Sequence, residues 1–380
     1  MGKVGVYVVL FIVLLFGGFY LWKNYLGLWT ANAPAKENIV DLIQNGVDKI
    51  AGTPKPGQNQ TNLPLKVPEG YAISIYAKDL GKARDLTLDP TGIVLVSMMD
   101  KGKVGAITAG GVTTVAEGLD SPHGLVFNEN KLYIAETDEV AVYDYDAATH
   151  KAANKKKIID LPGSGRHFTR SLVIKEEKLY VSIGSSCDTC VEKDPRYAAI
   201  WWANLDGSDF RQYATGLRNS VFMTLNSKTN EIWATEMGRD FLGDDLPPEE
   251  VNIIKEGNYG WPYCYGDKVP DPEMNASGTK FNCDTTISPH ITFQAHSAPL
   301  GLAFLNDDLL VSYHGSWNRS VPTGYKVVRF KGNTPTDFVS GWRDDGAALG
   351  RPVDILVKGN GEEIFISDDK AGVIYLLKAI

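Results

Sequence analysis

The sequence predicts an all-β protein, a six-bladed β-propeller preceded by an N-terminal transmembrane helix. Three observations carry that expectation. One theme, an apolar strand, a tight polar turn and a second apolar strand, recurs at residues 86–97, 125–135, 172–183, 223–234, 302–312 and 355–367. The spacing between units runs from about 39 to about 79 residues, the longest holding an insertion between Gly238 and Cys283. Irregular repeats of one supersecondary unit suit a propeller, and six similar units are too many for a simple sandwich. An early apolar run, 72–76, is a candidate to pair near 373–377 and close the ring. Finally, residues 4–22 are almost wholly apolar, about one bilayer span at ~1.5 Å per residue.

In chain order, residues 1–24 are the expected membrane anchor. Ala31-Asn-Ala33 also resembles a small-residue cleavage site, but Pro34 follows it and the apolar run is long for a signal peptide. Within 25–64, Ile39, Leu42, Ile43, Val47 and Ile50 share one helical face. This predicts a short amphipathic helix. Residues 52–64, rich in Gly, Pro, Asn, Gln and Thr, read as a tether. Residues 65–380 are the expected propeller, with turn signals such as Asp89-Pro-Thr-Gly92 and Lys358-Gly-Asn-Gly361 between apolar runs.

Charge and cysteines narrow the function. The net charge is −8, and the chain beyond residue 60 is near −10, so a basic nucleic-acid footprint is absent. Four cysteines behind an export signal read as two disulfides, Cys187–Cys190 and Cys264–Cys283, each closing one loop. A redox Cys-x-x-Cys usually opens a helix, whereas this one follows a strand. The propeller is therefore expected outside the cytoplasm, periplasmic or at the cell surface.

In a propeller the loops at one end of the central channel converge from every blade, so a site there draws on distant segments. His167, in Gly165-Arg-His-Phe-Thr-Arg170, is a candidate base, because neutral imidazole accepts a proton near pH 7. Arg166 and Arg170 flank it. Arg218 and Asn219 precede another strand, and the guanidinium fork suits carboxylates or carbonyls. From Glu236 to Glu250 six acids lie among tight turns, the ligand type that hard Ca²⁺ requires. His296 and His314 open two further segments. Trp317 offers a flat face for a planar ring, Arg319 a charge for its carboxylates, and Arg351 stands before the last unit. His123 reads as structural.

These segments, in this order, resemble the PQQ-dependent sugar dehydrogenase family, the soluble glucose, aldose sugar and sorbosone dehydrogenase-like proteins. The signatures are Arg166-His-Phe-Thr-Arg-Ser-Leu172, Gly184-Ser-Ser-Cys-Asp-Thr-Cys-Val-Glu192, Gly216-Leu-Arg-Asn219, the acidic run from Gly238 to Asn252, Asn258-Tyr-Gly-Trp-Pro262, His314-Gly-Ser-Trp-Asn-Arg-Ser320 and Gly350-Arg-Pro-Val-Asp354. The resemblance implies pyrroloquinoline quinone (PQQ) over the channel, with His167 as catalytic base and Arg218 near the reactive carbonyl. Asn219, Trp317, Arg319 and Arg351 would contact the cofactor. It also implies Ca²⁺ on the backbone carbonyls of Gly238 and Arg239, with Glu249 and Glu250 supporting a structural calcium. Val353 stands where the family has a second arginine. The implied partners are a sugar or aldehyde substrate, an external electron acceptor and, through the N-terminal helix, the membrane. Two other readings remain. A calcium-dependent lactone hydrolase needs a ring of acids from several blades, whereas the acids here cluster in one segment. A non-catalytic propeller binding glycan or protein would leave PQQ unbound.

Overall fold

The computed structural model describes residues 59–276, 281–344 and 346–380. The expected anchor and amphipathic helix lie outside the described residues. Among the described residues no helix is long and apolar enough to cross a membrane.

Six antiparallel sheets form six blades, and each predicted repeat is the innermost pair of strands of one blade. Those pairs are Ala83–Leu88 with Val94–Met98, Leu125–Asn128 with Lys131–Ala135, and Arg170–Lys175 with Lys178–Ile183. Met223–Asn226 with Glu231–Glu236, Pro299–Leu305 with Asp308–Tyr313, and Pro352–Lys358 with Glu363–Asp368 complete the ring. Second strands are buried on both faces because a blade stands on each side. Leu95 and Val96, or Ile364 and Phe365, are neighbours on opposite faces and both buried, so these strands read as continuous apolar runs rather than alternating ones.

The ring closes as the sequence predicts. Tyr71–Ala77 is the outermost strand of blade six and pairs antiparallel with Val373–Ala379, Ile73 opposite Leu377. Residues 59–64, assigned to the tether, pack on this closure: Leu63 and Leu65 are buried beside Ile73, Val339 and Trp342. Asn59 holds them there, its Nδ2 donating to the carbonyls of Leu63 and Leu65.

Polar groups latch each blade to the next near the hub. The Asp85 carboxylate accepts the Leu125 N–H at 2.7 Å, and Asp354 accepts that of Leu86 at 2.8 Å. Ser171 accepts the Met223 N–H, Thr235 donates to the Leu300 carbonyl, and Ser312 donates to that of Val353. Between blades two and three the Arg170 carbonyl takes both the Gly124 N–H at 2.9 Å and the His123 ring at 3.0 Å. A Cβ on Gly124 would lie 2.8 Å from that oxygen, so a side chain there would separate the two blades.

The predicted insertion between Gly238 and Cys283 is corrected in one respect. Glu249–Ile253 is the third strand of blade four, and Ile291–Phe293 its fourth. The extra chain is therefore two excursions, one on each side of Glu249–Ile253. The second carries a short parallel pairing to blade three, Gly257–Asn258, and the Cys264–Cys283 disulfide. Cys187–Cys190 is also formed, as expected.

Candidate active site

Loops at the entry to the inner strands and at the exit of the second strands meet at one end of the channel. They surround a cavity of about 190 Å³. His167, Arg218, Asn219, Gly238, Glu249, Trp317 and Arg351 all line it, together with Arg166, Asp240, His296 and His314. Residues up to 185 positions apart in sequence are thus neighbours, because the loops that carry them belong to blades three, four, five and six.

His167 sits on the loop that enters blade three. Gly184 makes room for it: a Cβ there would lie 2.6 Å from the His167 Cβ and 2.7 Å from Asn219 Oδ1. The proton on the ring is fixed by its partners. Nδ1 is 3.1 Å from the Ser185 carbonyl, which only accepts, and 2.8 Å from Ser185 Oγ. Ser185 Oγ gives its own proton to the Cys187 carbonyl at 2.7 Å, leaving a lone pair for the imidazole. Nδ1 therefore carries the hydrogen and Nε2 carries a lone pair. Burial, then Arg218 and Arg166, pushes the imidazole well below its ordinary value, so it stays neutral at pH 7.

Arg218 is almost wholly buried and held from three directions. Nε donates to the Asp188 carbonyl at 2.9 Å, Nη2 to Asp188 Oδ1 at 2.6 Å, and Nη1 to the Met237 carbonyl at 3.2 Å. Asn219 follows it, with its N–H on Glu236 Oε1 at 2.7 Å. Arg166 pairs with Asp240 at 3.0 Å and lies 6.0 Å from the Trp317 ring centre. Phe241 meets Trp317 edge-on at 5.6 Å, which braces the indole.

On the far side, His314 Nε2 donates to Asp369 at 2.8 Å, and its Nδ1 accepts from Arg351 Nη1 at 3.2 Å. Burial would raise the Asp369 carboxyl, but His314 and Arg84 outweigh it and hold it low. Arg84 completes the chain, 2.8 Å from Asp369 and 3.4 Å from His123 Nε2. His123 is buried and bonded to the Arg170 carbonyl, the structural role expected of it.

Three expected contacts are placed elsewhere. Arg319 does not line the cavity. It ties two rim loops together, through the Asp244 and Val321 carbonyls and an ion pair with Asp245 at 2.9 Å. The cation at the cavity wall near Trp317 is Arg166 instead. Glu250 neighbours Glu249 in a strand, so the two point to opposite faces. Glu249 faces the cavity, accepting the Gly238 N–H at 2.8 Å and that of Ala298 at 3.1 Å. Glu250 takes the Gly266 N–H and lines a separate small void with Arg239 and Asp271. The Arg239 side chain is buried there against Asp271 and Glu273. Val353 is fully buried in the apolar core beside Leu300 and Val311. Arg84 takes the matching place in blade one, since Arg84–Asp85 and Val353–Asp354 fall within the same register shift of their inner strands.

The donor set suits a planar polyanion. Three guanidinium groups, a flat indole and a neutral imidazole converge, and Asn318 Oδ1 is buried in the wall without a hydrogen-bond partner. The set also suits a hard cation. Among the described residues no hydrogen bond ends on the carbonyl oxygens of Gly238 or Arg239. Burial pushes the nearby Glu249 carboxyl up to about 8, a cost that a divalent ion beside it would remove. Sequence alone assigned no role to Ser185, Asp188, Asp240 or Asp369, although the first three fall in segments it marks out. Each sits in a loop whose partner belongs to another segment of the chain.

A model of the family described as TrAA12-like matches residues 65–380. An uncharacterized protein of Borreliella burgdorferi is 30% identical over 345 residues, covering 82% of this chain and 90% of that one. A pyrroloquinoline quinone-dependent pyranose dehydrogenase of Coprinopsis cinerea is 26% identical over 85% of this chain and 56% of its own length, so the chain spans about half of that relative. The solved holo form of the PQQ domain of Coprinopsis cinerea pyranose dehydrogenase superposes with a TM-score of 0.72 at 22% identity. It covers 87% of this chain and 99% of that domain.

Proposed function

Because the chain belongs to the TrAA12-like family, we propose that it oxidises a sugar, or a related aldehyde in hydrated form, with PQQ as the acceptor. The observation that carries this reading is the lone pair on His167 Nε2, fixed by Ser185 and facing the same cavity as Arg218, Trp317 and Arg351. PQQ, when bound, supplies a two-electron acceptor for the hydride leaving the substrate carbon. His167 Nε2 takes the hydroxyl proton of the substrate. Arg218, held in place by Asp188 and the Met237 carbonyl, would set a fixed positive charge where negative charge grows on an acceptor oxygen. Arg351, Arg166 and Asn219 would hold the carboxylates and polar edge of the cofactor, with Trp317 against its flat face.

Calcium would sit on the free carbonyl oxygens of Gly238 and Arg239, beside Glu249, and add a fixed charge at the same end of the cavity. Electrons then pass to an external acceptor. Two disulfides support a location outside the cytoplasm. Residues 4–22 support a membrane anchor, periplasmic or at the cell surface.

The test is turnover. The purified chain, loaded with PQQ and Ca²⁺, is assayed against a panel of aldoses with an artificial dye acceptor. Dye reduction that requires both PQQ and sugar is expected. No turnover on any sugar, together with no PQQ binding, would overturn the reading in favour of a propeller that binds glycan or protein.

A further inference from the structure

We propose that the Cys187–Cys190 disulfide loop is a redox-labile positioning element, which aims Arg218 through Asp188 and fixes the His167 tautomer through Ser185. This rests on the reading of the cavity as a dehydrogenase site.

The loop does two jobs at once. Arg218 donates to both the backbone carbonyl and the carboxylate of Asp188. The two bonds fix the direction of the guanidinium only while Asp188 keeps its place. Cys187 and Cys190 bracket Asp188 with a sequence separation of 3 and Cα atoms 6.2 Å apart, the span of a tight turn, so the covalent ring holds the turn that carries Asp188. Asp188 Oδ1 also accepts the Asp240 N–H at 3.3 Å, which ties the ring to the neighbouring rim loop. At the start of the same loop, the Cys187 carbonyl takes the Ser185 hydroxyl proton. Without that acceptor, Ser185 Oγ is free to rotate and offer its proton to His167 Nδ1, in competition with the Ser185 carbonyl that still accepts from Nδ1. A share of the rings would then carry the hydrogen on Nε2 and lose the lone pair there.

The two disulfides differ in access. Cys264 and Cys283 are 4% and 6% exposed, whereas Cys187 and Cys190 are only partly buried. A small dithiol reductant therefore reaches the second pair first. The reductant gives two electrons and two protons, the S–S bond breaks to two thiols, and the reductant closes to its own disulfide. Arg218 keeps the Met237 carbonyl and Asp240, but loses the partner that fixes its direction.

The full chain is compared as wild type, as Cys187→Ser/Cys190→Ser and as Asp188→Asn, each with and without prior treatment with dithiothreitol, which is removed anaerobically before PQQ, sugar and dye are added. In the wild type, the reductant is expected to lower kcat on the order of 10-fold to 100-fold, the scale of a misplaced catalytic group. PQQ affinity should hold, and glutathione disulfide should restore the rate. The double variant should be slow from the start and indifferent to the reductant. Asp188→Asn, which keeps the ring, should lose kcat rather than gain KM.

A second readout needs neither PQQ nor turnover. With ¹⁵N-labelled histidine in the cofactor-free chain, His167 should show the Nδ1–H tautomer when oxidised and a mixture after reduction. A kcat that ignores the reductant, or a tautomer that survives reduction unchanged, would overturn the proposal. If the dehydrogenase reading itself failed, no form would turn over, and the tautomer measurement alone would decide. If the double variant did not fold, the reduced wild type and Asp188→Asn would still give the answer.

Discussion

His167→Ala is expected to lose turnover by about 10²–10⁴-fold, the contribution of a positioned general base, while still binding PQQ. The separation follows from where the ring is held. Its bonds run to Ser185, behind the cavity, so removing it does not touch Arg351, Trp317 or Asn219. The pH profile carries the same claim. Burial and the two arginines keep the imidazole pKa well below 6.5, so Nε2 is unprotonated throughout the neutral range. The value of kcat/KM should therefore be flat on the acid side of neutrality and fall only well below pH 6.5. An acid limb centred at 6.5 or above would place another group in the role of base. A His167→Ala variant turning over at the wild-type rate would remove the assignment outright. Steady-state rates from pH 4 to 9, with PQQ binding followed by absorbance, check both points.

Arg218→Leu is expected to fail in two ways. Loss of one preorganised donor to a growing negative charge costs about 10²–10³ in kcat. Stability should fall as well, because Asp188 and Asp240 would lose the cation between them. Breaking a buried pair costs about 3–5 kcal/mol, an upper figure here since the Asp188 side chain is 17% exposed. Burial alone would raise the Asp188 carboxyl, but Arg218 and Arg166 outweigh it and hold it below the ordinary range. A carboxyl lowered in the folded state adds stability above its unfolded value and loses it as pH falls through the folded one. The wild type should thus owe stability at neutral pH to this pair, and lose that share on acidification. In Arg218→Leu that share should already be reduced at pH 7. Arg218→Lys keeps the charge but not the fork, and should fall between the two. Urea unfolding at pH 7 and pH 4, beside kcat, separates the catalytic loss from the structural one.

Much of this molecule was legible in the sequence, for reasons of burial. Second strands such as Leu179-Tyr-Val-Ser-Ile183 pack on both faces, so they stand out as apolar runs between turns. The closing strand at 71–77 carries the same mark. The third strand of blade four was hidden, because Glu249 and Glu250 begin it and Pro247-Pro248 precede it, which reads as loop. Residue order could not say which arginine faces the hub. Arg166 and Arg319 are alike in the sequence, but only the first lines the cavity, while the second holds two rim loops together. Nor could it separate Glu249 from Glu250 until the strand they begin was known. Asp188 and Asp369 were given no role because an acid in a loop is usually solvated. Their cations, Arg218 and Arg84, are 30 and 285 positions away.

The most direct measurement is a calorimetric titration of the calcium-loaded chain with PQQ. One equivalent should bind, saturably, and the heat should vanish when the calcium is chelated. A flat trace from the folded, calcium-loaded chain would contradict the assignment of these converging arginines, the indole and the imidazole to a quinone.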